Sequence, residues 1–444
     1  LQIQADFAHP KQKTKGGRSM EKDNRQMWAD LGMDLEAHDQ LLDTLNQAYQ
    51  DIYLSQKNRP EGMKYFDFVM SEVHGQRIQE LRREQEQGRK IIGSYCVFVP
   101  EEIVLAGNAT LVGLCSGADF AMEEVEKVLP RNTCALIKSS FGFKLGKVCP
   151  FLEVSDMVVG ENTCDGKKKS YETLKDMVGR MYVMDLPQMK TDEGRGLLKS
   201  EFKRFLREVE DLTGTEIDAK KLKQGIETVN AKRRAMARLQ RLRRADPSPI
   251  CGLDGLLVNQ VFFYDNPERF TESVNALCDE LEKRVQAGQG AKEKGTPRVL
   301  VSGCPMAVPN WKMPYIVEGA GGVIVGEESC VGERGNRNSV DDSGDSLDEL
   351  LDALVDRYLG IECAIFTPNP ERLEQIKTMA ENTKADGVLH YSLQFCQPYI
   401  MESIPVEKAL EDEDIPTLRV ETDYGMEDAG QLQTRIEAFL EMLK

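Results

Sequence analysis

Eleven cysteines are scattered through this 444-residue chain without one C-x-x-C pair. Cys164 shows what they could do. In DMVVGENTCDGKKKSYE an apolar run closes, a polar turn follows, and Cys164 stands just past the run, ahead of an Asp-Gly step and a basic, helix-like segment. A thiol used for packing would lie inside the apolar run. A thiol at the carboxyl end of a strand lies where open α/β sheets bind their ligands. The odd count and wide spacing do not describe a secreted disulfide framework, and no secretory signal is read at the start. In a cytoplasmic chain, thiols at several strand ends point to a metal or redox centre.

The elements that would carry these cysteines repeat. Residues 21–89 have helical periodicity, with Leu31, Leu35, Leu41, Leu42 and Leu45 on the apolar side. From Lys90, apolar runs alternate with helical ones: KIIGSYCVFV, NATLVGLC, DMVVGENTC and MYVMDLP read as strands. A long helical segment over 201–244 ends at Asp-Pro-Ser-Pro, which reads as a boundary. The pattern then restarts with a helix over 267–286 and the strands RVLVSGCP, GGVIVGEESC, ADGVLHYSLQFC and IPTLRVETD, closed by a helix over 428–443. The expected fold is α/β: two doubly wound, mostly parallel-sheet domains, 90–245 and 246–444, facing a cleft, after a helical segment over 1–89. Residues 1–19, polar and basic, read as a tag or disordered arm, with Met20 as the natural start.

The cysteines follow the repeat. Cys96 matches Cys304 on the first strand, and Cys115 matches Cys330 after the second. Cys134 and Cys363 fall in the next connection, and Cys164 matches Cys396 after the third strand. Facing domains would bring Cys115, Cys134, Cys164, Cys330, Cys363 and Cys396 together. Cys96 and Cys304, read as lying within or just after strands, stay ambiguous. Soft thiolates select iron–sulfur clusters, zinc or copper(I). Structural zinc favours paired cysteines, and ferredoxin-type clusters use C-x-x-C runs; both are absent. Two cubanes held wholly by protein want eight thiolates. Six would leave one iron of each open to a bridging ligand or substrate. The packing explanation wins for Cys278, which shares a helix face with Phe270, Val274 and Leu281, and is favoured for Cys149 and Cys251.

RKIIGSYCVFVPEEIVLAG, LPRNTCALIKSSFG, ENTCDGKKKSYE, GVIVGEESCVGERG and ADGVLHYSLQFCQPY together resemble the 2-hydroxyacyl-CoA dehydratase / benzoyl-CoA reductase family, in the family's order from about residue 20. In the dehydratases of that family each subunit of a heterodimer holds one [4Fe-4S] cluster on three cysteines, which match Cys134, Cys164 and Cys396. The extra strand-end cysteines Cys115, Cys330 and Cys363 depart from that pattern. They make the chain most similar to the family's double-cubane cluster proteins. That resemblance implies a homodimer with an [8Fe-9S] cluster per chain, two cubanes joined by a bridging sulfide. It also implies low-potential electrons from a separate ATP-hydrolysing activator with its own [4Fe-4S] cluster, and reduction of small molecules such as acetylene, azide or hydrazine. The alternatives are a 2-hydroxyacyl-CoA dehydratase subunit with one [4Fe-4S] cluster and a non-catalytic electron-storage protein. The chain has no G-x-x-x-x-G-K-[ST] loop, as expected if a partner binds ATP.

Other residues are weaker candidates. His390, six residues before Cys396, and Glu327 and Glu328, just before Cys330, could deliver protons to a reducing centre. A satisfied core histidine and solvated or capping carboxylates are the plainer readings. Lys138 and Lys144 could offset cluster charge, or be ordinary surface lysines. GAGGVIVG precedes a strand instead of following one, the wrong context for a dinucleotide fingerprint. The run 232–244 carries seven positive charges and reads as a solvated helix face, a partner of acidic segments, or a docking surface for the activator. The segment 335–360, a loop followed by an acidic helix, reads as a contact with a second subunit. A net charge of -17 argues against a nucleic-acid partner, and no apolar stretch is long enough for a membrane span.

Overall fold

The computed structural model describes residues 24–444. The reading of residues 1–19 as a tag or arm lies outside them. Two four-stranded parallel sheets organise the chain, in the orders β2-β1-β3-β4 and β6-β5-β7-β8. The first comprises β1 (Lys90–Ser94), β2 (Ala109–Gly113), β3 (Met157–Glu161) and β4 (Met181–Met184). The second comprises β5 (Arg298–Gly303), β6 (Val323–Glu328), β7 (Gly387–Leu393) and β8 (Thr417–Thr422). The α/β expectation and the helical N-terminal segment both hold. β3, β5, β6 and β7 are buried along their whole length. That is the signature of parallel strands covered by helices on both faces. In each sheet the chain moves from the first strand to one side and then crosses to the other. The resulting switch points lie beyond the carboxyl ends of β1 and β3 and of β5 and β7.

Local chemistry starts the helices where they are needed. Asn266 accepts from the amides of Glu268 and Arg269, Pro267 opens the first turn, and Phe270, Val274, Leu277 and Leu281 bury one face. Cys278 lies in that same core, completely buried, as its spacing predicts. The segment read as one helix over 201–244 is two, Asp192–Thr213 and Ala219–Arg243. Gly214 ends the first in the left-handed region at φ 69°, and Asp218 caps the second by accepting from Lys221 N.

The helix Ala219–Arg243 joins the two sheets. Leu222 and Ile226 pack into the core of the first, while Met236 and Leu239 pack into that of the second. Its basic run is therefore a solvated face only at Arg234 and Arg241. Lys232, Arg233 and Arg243 are buried against Glu101, Glu102 and Glu327. Arg238 pairs with Asp279 and Glu282 on the helix Pro267–Gln286. Its acidic partners lie within the chain. The acidic helix Leu347–Leu359 likewise meets Arg195 and Lys199, through Asp348, Asp352 and Asp356. Among the described residues no helix is long and apolar enough to cross a membrane.

Candidate metal centre

One cavity lies where the ends of both sheets meet, and eight cysteines line it: Cys96, Cys115, Cys134, Cys164, Cys304, Cys330, Cys363 and Cys396. The six expected from the repeat are all there. Cys96 and Cys304 join them because their strands end sooner than the apolar runs suggest. β1 stops at Ser94 and β5 at Gly303, so both thiols fall just past a strand end. The remaining cysteines are elsewhere. Cys278 is core, Cys251 accepts from Asp254 N at 3.4 Å, and Cys149 precedes a short helix opened by Pro150.

Several of these thiols are held by local backbone. Cys134, Cys164 and Cys396 occupy the N-cap positions of the helices Ala135–Leu145, Asp165–Leu174 and Gln397–Glu411. Cys164 Sγ accepts from Lys167 N at 3.5 Å. Helix N-termini favour negative charge, so these positions suit thiolates. Cys304 N donates to Tyr391 O at 2.9 Å, and Cys304 Sγ accepts from Leu393 N at 3.3 Å. Gly303 makes this turn possible: its φ is +132°, and a Cβ there would lie 2.0 Å from the Tyr391 carbonyl oxygen. Gly303→Ala is therefore expected to destabilise the chain by about 1–3 kcal/mol through backbone strain. Chemical denaturation of the metal-free chain measures the loss, and an unchanged midpoint would mean that the turn relaxes freely.

The cysteines fall into two sets, and each set draws on both sheets. Cys396 interacts directly with Cys134 and with Cys304, and Cys164 lies within electrostatic reach of Cys134. Cys330 interacts directly with Cys363 and Cys96, and Cys115 lies within electrostatic reach of Cys330. Neither half of the chain holds a full set alone. Burial pushes the Cys115 thiol up to about 12. Cys330 is raised to about 11: the Cys363 contact pulls it down, while Cys96 and burial push it up. Cys134 is raised by its Cys396 contact and by burial. Protonated thiols at neutral pH become ligands only when a metal displaces their protons. Among the described residues no group of His, Cys, Asp or Glu closes around a point as the ligands of one ion do. The eight sulfurs are instead distributed along the walls. Soft donors in that arrangement fit a polynuclear iron–sulfur group better than a single ion.

The rest of the wall is largely apolar, including Leu136, Ile137, Phe263, Val308, Ile365 and Leu393. The cavity volume is about 110 Å³. It shares Cys134, Cys164 and Cys396 with a wider cleft of about 1200 Å³. Four polar side chains near the thiols were missed by sequence reasoning. Lys167 lines the cavity and donates to Tyr95 O at 3.3 Å. Glu161, at the end of β3, is fully buried 3.8 Å from Lys167 Nζ, and neither of its carboxylate oxygens has a hydrogen-bond partner among the described residues. Burial pushes its carboxyl up to about 7 against the pull of Lys167. Arg334 donates to Cys330 Sγ at 3.6 Å, and the Tyr399 hydroxyl lies 3.8 Å from Cys363 Sγ. The only hints in the sequence are positional: Lys167 lies three residues after Cys164, and Arg334 four after Cys330.

The expected proton donors are engaged elsewhere, and none of them lines the cavity. Glu327 forms a bidentate pair with Arg243, at 2.6 and 2.7 Å, and Glu328 is shared by Arg334 and Arg372. Neither is solvated or capping. His390 is buried with Nε2 3.2 Å from Tyr399 O, and burial lowers it to about 4, which keeps it neutral. Lys138 and Lys144 also lie off the cavity, and Lys144 pairs with Glu153 at 2.7 Å.

Residues 96–443 match the family model described as 2-hydroxyglutaryl-CoA dehydratase, D-component. The chain is 39% identical to YjiM of Escherichia coli (strain K12), named provisionally as a dehydratase subunit, over 81% of this chain and 93% of that one. It is 26% identical to the (R)-phenyllactyl-CoA dehydratase beta subunit of Clostridium sporogenes, over 86% and 99% of the two chains. It is 24% identical to a benzoyl-CoA reductase subunit of Thauera aromatica, over 79% and 89%. With the family model spanning all the cavity's cysteines, this chain belongs to the 2-hydroxyglutaryl-CoA dehydratase D-component family.

Proposed function

We propose that this chain is the substrate-reducing component of an iron–sulfur oxidoreductase of the double-cubane type. The observation that carries this reading is the cysteine count at one cavity: eight thiols line it. One [4Fe-4S] cluster uses at most four. Cys134, Cys164 and Cys396 would hold one cubane, with Cys304 beside them. Cys115, Cys330 and Cys363 would hold the other, with Cys96 beside them. Six ligands would be the thiolate set that an [8Fe-9S] cluster needs, and Cys96 and Cys304 would then be the spare thiols of the two sets. When bound, such a group supplies low-potential electrons to a substrate.

The protein's own contribution is enclosure and charge. Apolar walls limit water, and the small enclosure would select by size for molecules such as acetylene, azide or hydrazine. Helix N-termini and the side chains of Arg334 and Lys167 offset the negative charge of thiolates and sulfide. Electrons would come from a separate ATP-hydrolysing [4Fe-4S] activator, and the working unit would be a cytoplasmic homodimer. A second reading, a dehydratase subunit with one [4Fe-4S] cluster on Cys134, Cys164 and Cys396, is favoured by the wide cleft beside those three cysteines. That cleft has room for a thioester-sized ligand, and the relatives include dehydratase subunits.

Anaerobic purification of this chain alone separates the two. About eight irons per chain, with activator-dependent reduction of acetylene or hydrazine, is the expected result. About four irons, with turnover of a 2-hydroxyacyl-CoA ester only after a second, different subunit is added, would replace it with the dehydratase reading.

A further inference from the structure

The two cysteine sets are compensated by different means. Cys134, Cys164 and Cys396 rely on helix N-termini and backbone amides. Lys167 lies within electrostatic reach of both Cys164 and Cys115, but the other set alone has a guanidinium donating to one of its sulfurs. Arg334, 1% exposed, directs Nη1 at Cys330 Sγ and also donates to the Tyr399 hydroxyl, which itself lies beside Cys363 Sγ. Arg334 Nε donates to Glu328 Oε1 at 2.7 Å, and Arg372 donates to Glu328 Oε2 at 3.0 Å. The Tyr399 ring lies under both guanidiniums, with centroid distances of 5.3 and 5.2 Å. Glu328 is thus shared by two buried cations, and Arg334 is the one of them whose guanidinium reaches Cys330 Sγ. Arg372 also pairs with Glu402, which lines the wide cleft and balances the second guanidinium.

Hydrogen bonds to sulfur and nearby positive charge favour the reduced form of an iron–sulfur group, and burial strengthens both effects. We propose that Arg334 is a positioning residue that makes the two halves of the site electronically unequal. It holds the Cys96, Cys115, Cys330 and Cys363 side at the higher reduction potential. The first electron taken up then rests beside Arg334, away from the set that borders the wide cleft. This inference rests on the two-cubane reading above, and Glu328 enters it as the counterweight to Arg334.

The test is a one-electron potentiometric titration of the anaerobically purified full chain, followed by electron paramagnetic resonance, with iron counted in each sample. The wild type should show two separated steps. Arg334→Gln should weaken the upper step at least tenfold, about 59 mV for one electron, and leave the lower step in place. Arg334→Lys should restore most of the shift. Glu328→Gln should move the same step the opposite way, because it removes the counterweight and keeps the shape. That variant also carries the test should Arg334→Gln not fold. Merely structural roles would not move one step in opposite directions. Steps that move together, or not at all, in chains carrying their full iron overturn this inference alone. A wild type with no iron on the Cys330 side overturns it together with the reading it rests on.

Discussion

Replacing Cys134 and Cys396 together by serine is expected to halve the bound iron, from about eight to about four per chain, and to leave the rest intact. The pair Cys330→Ser and Cys363→Ser should do the same to the other half. These pairs are chosen because each lies within one contact set, and the first spans both halves of the sequence. The pair Cys115→Ser and Cys164→Ser, taken from one half of the sequence, strikes one ligand of each set and should weaken both. An arrangement in which each sheet carried its own cluster predicts otherwise: changing Cys134 and Cys396 would damage both clusters, and changing Cys115 and Cys164 only one. A single-cluster dehydratase subunit predicts a third pattern: loss of all iron on changing Cys134 and Cys396, and no loss on changing Cys330 and Cys363. Serine keeps nearly the size of cysteine, so circular dichroism of each variant shows whether iron loss reflects ligation or unfolding. Iron and sulfide counts on these three pairs distinguish all three arrangements.

The cysteine pattern was legible because the chain uses one architecture twice. Strand order, switch point and thiol position recur, so Cys115, Cys134 and Cys164 align with Cys330, Cys363 and Cys396 from the sequence alone. What misled was strand length. KIIGSYCVFV is apolar through Val99, yet pairing with β2 ends at Ser94, so Cys96 leaves the sheet and reaches the cavity. Apolar pattern reports burial, and a buried loop beside a cavity looks like a strand. The charged residues were harder to read. Arg233, Arg243, Arg334 and Arg372 are all at most 4% exposed, and no local pattern separates a buried arginine from a surface one. Their carboxylate partners lie far off in sequence, as with Glu102 for Arg233 and Glu327 for Arg243. Glu327 and Glu328 were noticed for their place before Cys330, but only the fold shows what each faces.

The same buried charges give the largest stability effect expected in the chain. Arg243 and Glu327 form a bidentate pair with 0% and 1% side-chain exposure. Gln240 and the Ile324 carbonyl accept further bonds from Arg243, and Asn259 donates to Glu327. Removing only the cation, by Arg243→Met, leaves a carboxylate buried with one amide for company. The expected cost is about 3–5 kcal/mol, read as a lower denaturant midpoint of the metal-free chain. Replacing both residues with methionine should recover most of that loss, since a buried pair gains little over apolar groups of similar volume. The contrast matters because Arg243 ends the helix that joins the two sheets, and Glu327 lies three residues before Cys330. If the double variant is stable but binds less iron, the pair serves to fix β6 against that helix and so to set where Cys330 stands. If it is stable and binds iron as the wild type does, packing alone fixes that register, and the ion pair contributes nothing to the site.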